Sequence, residues 1–321
     1  MSTGPVVLKL PDFLLLYCNF YRFGFAAFGT LLGAGAALPI VGLFSDKNTG
    51  YTALGILYGF LMMVTALITV FTVKEPDSRK KRLQSGFVST YLKVFRNRPF
   101  LLILLTYALH ITAITIIAGV AIYYFKYIHQ NEAATTLAMV IMLLTAMLFI
   151  PVSVLLAKRI DKKLSYGIGM AVFSVAVMVL FFTGHLFGLT YALAIFFFIG
   201  IGMGFLYALP YAMVPDAIEY GYLLTGERTE GAFYATWTFG MKIGQAVALG
   251  ITGWVLSAVG YVPNVTQTDL SMLGIRLLLG PITVTIFVMA MVALYFYPIN
   301  EQRYNQILSR IDEMEKKGRG N

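Results

Sequence analysis

Charge is what this chain has least of. Only 12% of its 321 residues are Asp, Glu, Lys or Arg, about half of what a soluble domain of this length carries. Cysteine is nearly missing: Cys18 alone excludes an internal disulfide and a thiolate metal cluster. The three histidines, His110, His129 and His185, are scattered and give no zinc-ligand spacing. There is no GxxxxGK[ST] loop to cradle a phosphate, no HExxH and no Ser-His-Asp arrangement, so nothing argues for an enzyme, and no cofactor or bound metal is expected. The glycines of GIGMGF (200–205) sit inside an apolar run, where they serve packing.

What is present is apolar. Hydrophobic residues make up 59% of the chain and the mean hydropathy is +0.78, which places it in a lipid bilayer as an all-α, multi-pass protein. The net charge of +9 suits nucleic acid in principle. In a membrane protein it reflects lysine and arginine kept on the cytoplasmic face, so no nucleic-acid partner is expected.

Eight spans are predicted, at about 22–44, 52–73, 100–127, 134–156, 166–184, 189–213, 233–259 and 272–297. Residues 1–21 are atypical: the apolar run 10–20 is too short to cross, and no signal-peptide cleavage site follows. Residues 74–98 form a basic linker in which Phe87, Tyr91, Leu92 and Phe95 recur at helical spacing, predicting an amphipathic surface helix; a disordered linker is the plain alternative. Residues 298–321 form a charged helical tail whose isoleucines and leucine would pack on the rim. The basic residues of 74–98, 158–163 and the tail lie on alternate loops, which predicts both termini in the cytoplasm and an inner-membrane location. Two spans, a long basic connection and six more spans match the last eight helices of a two-halved, twelve-helix carrier: 22–73 close the first half and 99–297 form the second. An intact eight-helix protein remains the other possibility.

One stretch organises the rest: PDAIEYGYLLTGERTEGAFYATWTFGMKIGQAVALG (215–250). Its first half is expected as a charged hairpin, with Asp216, Glu219, Glu227, Arg228 and Glu230 pairing with the other half at an inner gate; solvated charge is the bland option. Its second half is an apolar helix carrying Lys242. A lysine at that depth costs about 2.5–3.5 kcal/mol on insertion scales and should face a polar path or a partner. Thr238 precedes it by one turn on the same face. Tyr207 and Tyr211 either pack or stack on a sugar ring. Arg22 reads as an ordinary anchor, Lys126 and Arg276 as interfacial, and His110 as a hydrogen-bonded packing residue. Tyr123, Tyr124, Phe125 and Tyr127 read as an outer aromatic belt.

The 215–250 stretch resembles the signature of the glycoside–pentoside–hexuronide:cation symporters, and GVAIYYFKY (119–127), GYVPNVTQT (260–268) and YRFGFAAFGTLLGAG (21–35) resemble three further family segments. The resemblance covers about 21–310. It implies a partial major facilitator fold, equivalent to helices 5–12, and sugar uptake coupled to Na+ or H+. It implies that Lys242 and Thr238 border the joint sugar and cation site, that Arg22 binds sugar rather than anchoring, and that Asp216, Glu219, Arg228 and Glu230 form a cytoplasmic gate loop. Tyr207 stands where a family member carries a sugar-stacking tryptophan, which leaves the sugar open. The family's cation-binding carboxylates lie on helices with no counterpart in this sequence. A carrier of a non-sugar solute on the same fold and a non-transporting truncated membrane protein remain as alternatives.

Overall fold

The computed structural model describes residues 37–72 and 86–319, with residues 25, 26, 29, 32 and 33. Residues 1–21, Arg22, much of the first expected span and the most basic part of the linker lie outside the described residues. The chain divides into two compact units, one of residues 25–86 and one from Phe87 onward.

In the first unit, a short helix α1 (Ala37–Val41) turns into α2 (Lys47–Thr72). The turn is set by Asp46, whose carboxylate accepts from the Thr49 N–H and the Thr49 hydroxyl, both at 3.0 Å. These bonds hold the Asp46 carboxyl below its usual range. A carboxylate there satisfies orphan amides and complements the helix dipole.

The second unit begins with α3 (Phe87–Arg96) and α4 (Arg98–Tyr123), the latter continued by a π-turn at Tyr124–Ile128. It goes on through α5 (Ala134–Ile160), α6 (Lys162–Thr183), α7 (Gly188–Thr225) and α8 (Glu230–Ala258). α9 (Asp269–Leu277), a π-turn at Leu278–Ile282 and α10 (Thr283–Tyr295) make one span, and α11 (Glu301–Arg319) closes the chain. Among the described residues seven helices are long and apolar enough to cross a membrane, and they coincide with the last seven of the eight expected spans.

Packing in this unit is reciprocal. α4 packs along α8 and α10, α7 packs along α5 and α6, and α6 meets α10. Exchanging the triplet α4-α5-α6 for the triplet α7-α8-α9/α10 maps this pattern onto itself. Paired three-helix repeats of this kind build each half of a major facilitator carrier, so the expected partial major facilitator fold is borne out.

Glycine makes the close approaches possible. A Cβ on Gly200 would lie 2.6 Å from the Met142 carbonyl, and one on Gly204 2.8 Å from that of Ala146. Both contacts are to the α5 backbone, which cannot rotate away. We therefore expect Gly200→Leu and Gly204→Leu to cost at least about 1–3 kcal/mol of overpacking and to lower membrane yield and the detergent melting temperature. Gly119→Ala, with nothing near its Cβ, should leave both unchanged.

The linker helix is ordered and sits on the bundle. Its covered face is Thr90, Val94 and the following Asn97, while Leu92 and Phe95 of the expected apolar face are exposed with Val88. Asn97 fixes it: the side-chain amide donates to the Ala217 carbonyl at 2.7 Å and its oxygen accepts from the Phe100 N–H, capping α4. The exposed apolar row faces outward, as a surface helix requires. The tail behaves as expected: Ile307 and Ile311 are buried, on a helix that packs against α7.

The outer aromatic belt needs correcting. Tyr124 and Phe125 are fully buried. The π-turn rotates them inward, and Tyr127 latches the α8–α9 connection through the Tyr261 hydroxyl at 3.0 Å and the Asn264 N–H. Lys126 joins the same latch, donating to Asn264 at 3.0 Å and pairing with Glu132 at 3.2 Å.

Candidate functional site

α8 carries three distinct faces, because successive residues advance about 100° around a helix. Phe233, Trp237, Gly240, Gly244 and Ala248 are buried. Gly240 and Gly244 let the helix press on α4: a Cβ at either would come within 2.6 Å of Leu104 or the Ala108 carbonyl, and the Thr112 hydroxyl donates to the Gly244 carbonyl at 3.0 Å. Phe239, Ile243, Val247 and Trp254 form an exposed apolar face. Between the two runs a polar stripe of Thr238, Lys242 and Gln245. Thr238 and Lys242 are exposed and Gln245 is partly covered.

The Lys242 ammonium donates to Gln245 Oε1 at 3.2 Å, and the Thr238 hydroxyl to the Tyr234 carbonyl at 3.0 Å. The cation is therefore held on its own stripe, on a surface its unit leaves uncovered. Gln245 escaped notice in the sequence, although its i+3 spacing from Lys242 was the available signal.

Behind the stripe lies an aromatic cluster. Tyr107 of α4 stacks on Trp237 with ring centroids 4.1 Å apart, its hydroxyl bonds that of Tyr211 on α7 at 2.9 Å, and Tyr211 meets the Trp237 edge. Tyr207 lies one turn before Tyr211, half-buried among Ile150, Ala208 and Val154. Tyr207 and Tyr211 pack against the same Ile150 and Ala208 pair, and Tyr211 in turn meets Trp237 of α8. Trp237 is 2% exposed and its indole N–H has no acceptor among the described residues, a costly state for a buried donor. His110 is a packing residue as expected: buried, with its Nδ1 2.9 Å from the Tyr166 hydroxyl.

The charged stretch 215–230 is not a hairpin. α7 continues through Pro210 and Pro215 to Thr225, because Met213, Val214, Ala217, Ile218 and Gly221 keep a buried row at helical spacing. The helix stops only at Gly226, whose φ of 67° is left-handed. Gly221 serves contact instead, sitting against Asn97 and Phe233.

Among the described residues, the acidic residues of this stretch find partners within their own unit. Lys162 of α6 bonds both Asp216 carboxylate oxygens at 2.9 Å. Arg228 lies 3.6 Å from Glu219, 3.4 Å from Glu230 and 3.7 Å from Glu315 of α11, over the Tyr222 ring. Partial burial works against the Arg228 charge, but Glu219, Tyr222 and Glu230 override it and hold the guanidinium above its usual range. Lys93 of the linker helix pairs with Glu227 at 2.7 Å. Together these contacts tie α3, α6, α7, α8 and α11 at one end of the bundle.

Arg22 lies outside the described residues. A groove of about 530 Å3 between α6 and α7, lined by Val172, Val175, Ala194 and Phe198, takes no residue from α8 and carries no charge.

A family model described as MFS/sugar transport protein matches residues 17–301. Over 304 residues the chain is 29% identical to an Escherichia coli K12 protein provisionally named a sulfoquinovose importer, covering 92% of this chain and 64% of that protein. It is 30% identical over 311 residues to the like-named Salmonella typhimurium protein, covering 93% and 63%. It is 28% identical over 222 residues to the glucuronide carrier protein homolog of E. coli K12, covering 69% and 48%. The chain thus spans a little under two thirds of the length of the first two relatives.

Proposed function

The chain belongs to the MFS/sugar transport protein family, and from that premise we propose that it supplies one wall of a sugar path, in a carrier that couples solute movement to Na+ or H+. It would do so as the equivalents of helices 5–12, in a plasma membrane with both termini cytoplasmic. The observation that carries this reading is the stripe of Thr238, Lys242 and Gln245, a row of donors and a cation on the uncovered side of an apolar helix.

The stripe gives hydroxyl-binding chemistry: an ammonium donates three hydrogen bonds, the glutamine amide donates and accepts, and the threonine hydroxyl does both. The orphaned Trp237 N–H adds a donor behind it, and the Tyr107–Trp237 stack supplies a rigid aromatic backing. The ammonium would also favour a solute bearing an acid group, and the relatives' names include a glucuronide carrier. Coupling would arise if the cation raises sugar affinity by differential contacts in one state.

The test is uptake of a panel of glycosides, pentosides and hexuronates by cells expressing the chain alone, or the chain preceded by the N-terminal third of the 30%-identical relative. Accumulation that collapses when the Na+ and H+ gradients are removed is the expected result. Gradient-independent equilibration would refute coupling, and accumulation only of non-sugar solutes would refute the substrate class.

A further inference from the structure

Four of the seven buried side-chain polar atoms without a partner among the described residues belong to one cluster: Tyr124 Oη, His129 Nε2, His185 Nδ1 and Arg276 Nε. The cluster sits at the end of the bundle opposite the Arg228 network, where the π-turn of α4, the α6–α7 connection and α9 meet. The His129 and Tyr124 rings lie 5.2 Å apart, edge to face. Gly184 backs them, with no room for a Cβ beside Tyr124 Oη. Arg276 reaches in from α9, its Nη2 donating to the Phe181 carbonyl at 3.0 Å and its guanidinium over the Phe181 ring. The Arg276 charge is felt at both Tyr124 and His185, and His185 is felt at His129, which links the remaining two groups to the Tyr124–His129 ring pair.

The inventory points one way. Arg276 Nε can only donate, Tyr124 is free to donate, and each imidazole has a nitrogen without a partner. Among the described residues no carboxylate forms a salt bridge with Arg276. Tyr124 is 1% exposed, so its hydroxyl is fully desolvated and unpaired, which is unfavourable as it stands. Burial holds both imidazoles below their usual range; the Gly184 backbone opposes this at His129, and the Arg276 charge adds to it at His185. Around neutral pH the cluster's charge is therefore the single guanidinium. A metal cation is disfavoured by that guanidinium. A ligand that satisfies the set must carry negative charge and several acceptor oxygens at once.

We propose that Arg276, Tyr124, His129 and His185 form a binding site for one oxyanion, of the sulfate, sulfonate, carboxylate or phosphate type. The site is separate from the Lys242 stripe and does not rest on the transport reading. The anion is either the acid group of a soluble molecule or the phosphate of a lipid headgroup; both present the same oxygens.

The test uses the 321-residue chain in nanodiscs of phosphatidylcholine, with sulfate as the probe at constant ionic strength set with chloride. Saturable sulfate binding and a rise in melting temperature are expected. Arg276→Gln should weaken sulfate binding by about tenfold or more, and Tyr124→Phe by about tenfold, the scale of one hydrogen bond to a charged group. Tyr124→Phe should leave the sulfate-free melting temperature unchanged or raised, because it removes an unpaired hydroxyl; a purely structural hydroxyl would lower it. Repeating the titration with phosphatidylglycerol separates the sources: competition identifies a lipid headgroup, and an unchanged affinity a soluble anion. Absence of a sulfate effect beyond chloride, or one that both variants leave intact, overturns the proposal.

Discussion

Lys242→Ala should reduce cation-driven solute accumulation by about 10- to 100-fold while leaving membrane abundance unaltered. The size follows from the loss of hydrogen bonds to a charged donor, about 1.5–3 kcal/mol each. The intact abundance follows from the structure. Lys242 lies on the uncovered stripe and its ammonium donates to Gln245, one turn away, so truncation leaves no buried carboxylate without a partner. Melting in detergent should shift by no more than about 0.5 kcal/mol, the usual range for a surface change away from special features. Uptake normalised to immunoblotted membrane protein checks the first half, and thermal unfolding the second. Normal uptake would remove Lys242 from the solute path; a large loss of stability would make it a structural residue. Lys242→Arg tests geometry, since a planar fork cannot replace a compact ammonium at a tight site.

Much of the fold was legible because a bilayer leaves so few choices. Length and hydropathy alone located the seven described spans, since lipid admits only apolar helices of about 20 residues or closed barrels. Lys242 and Thr238 were legible for the same reason: one charge in an apolar helix is conspicuous. The aromatic backing was not. Tyr107, Tyr211 and Trp237 look like any aromatic in a span, and only the packing of α4 between α7 and α8 brings them together. The end of α7 was misjudged because Pro215-Asp216 reads as a helix stop, whereas burial of Ala217, Ile218 and Gly221 keeps the helix going. The partners of Asp216 and Arg228 were hidden by distance along the chain: Lys162 is 54 residues from Asp216. The four-group cluster around Arg276 was equally invisible, because it joins the end of α4, the α6–α7 connection and α9, which the sequence separates.

The pairing of Lys162 with Asp216 should show the opposite behaviour to Lys242. The Asp216 side chain is only 7% exposed, against 27% for Lys162, so the carboxylate is the desolvated partner. Lys162→Ala leaves that carboxylate buried without its cation, and breaking such a pair costs about 3–5 kcal/mol when fully buried. Because Lys162 is partly exposed, about 2–4 kcal/mol is expected here, a large share of a typical domain's stability. Asp216→Leu, which removes the desolvated charge and leaves a lysine able to reach solvent, should cost less. The double variant should be more stable than Lys162→Ala alone, since replacing both members of a buried pair is often nearly neutral. Thermal unfolding of the three variants in one detergent gives the cycle, and a coupling energy above about 0.5 kcal/mol is the signature of a direct interaction. Strict additivity would show that the bidentate contact between α6 and α7 contributes nothing net. A strong coupling would identify this pair as a rivet between α6 and α7 within one unit, and would count against Asp216 as part of a moving gate.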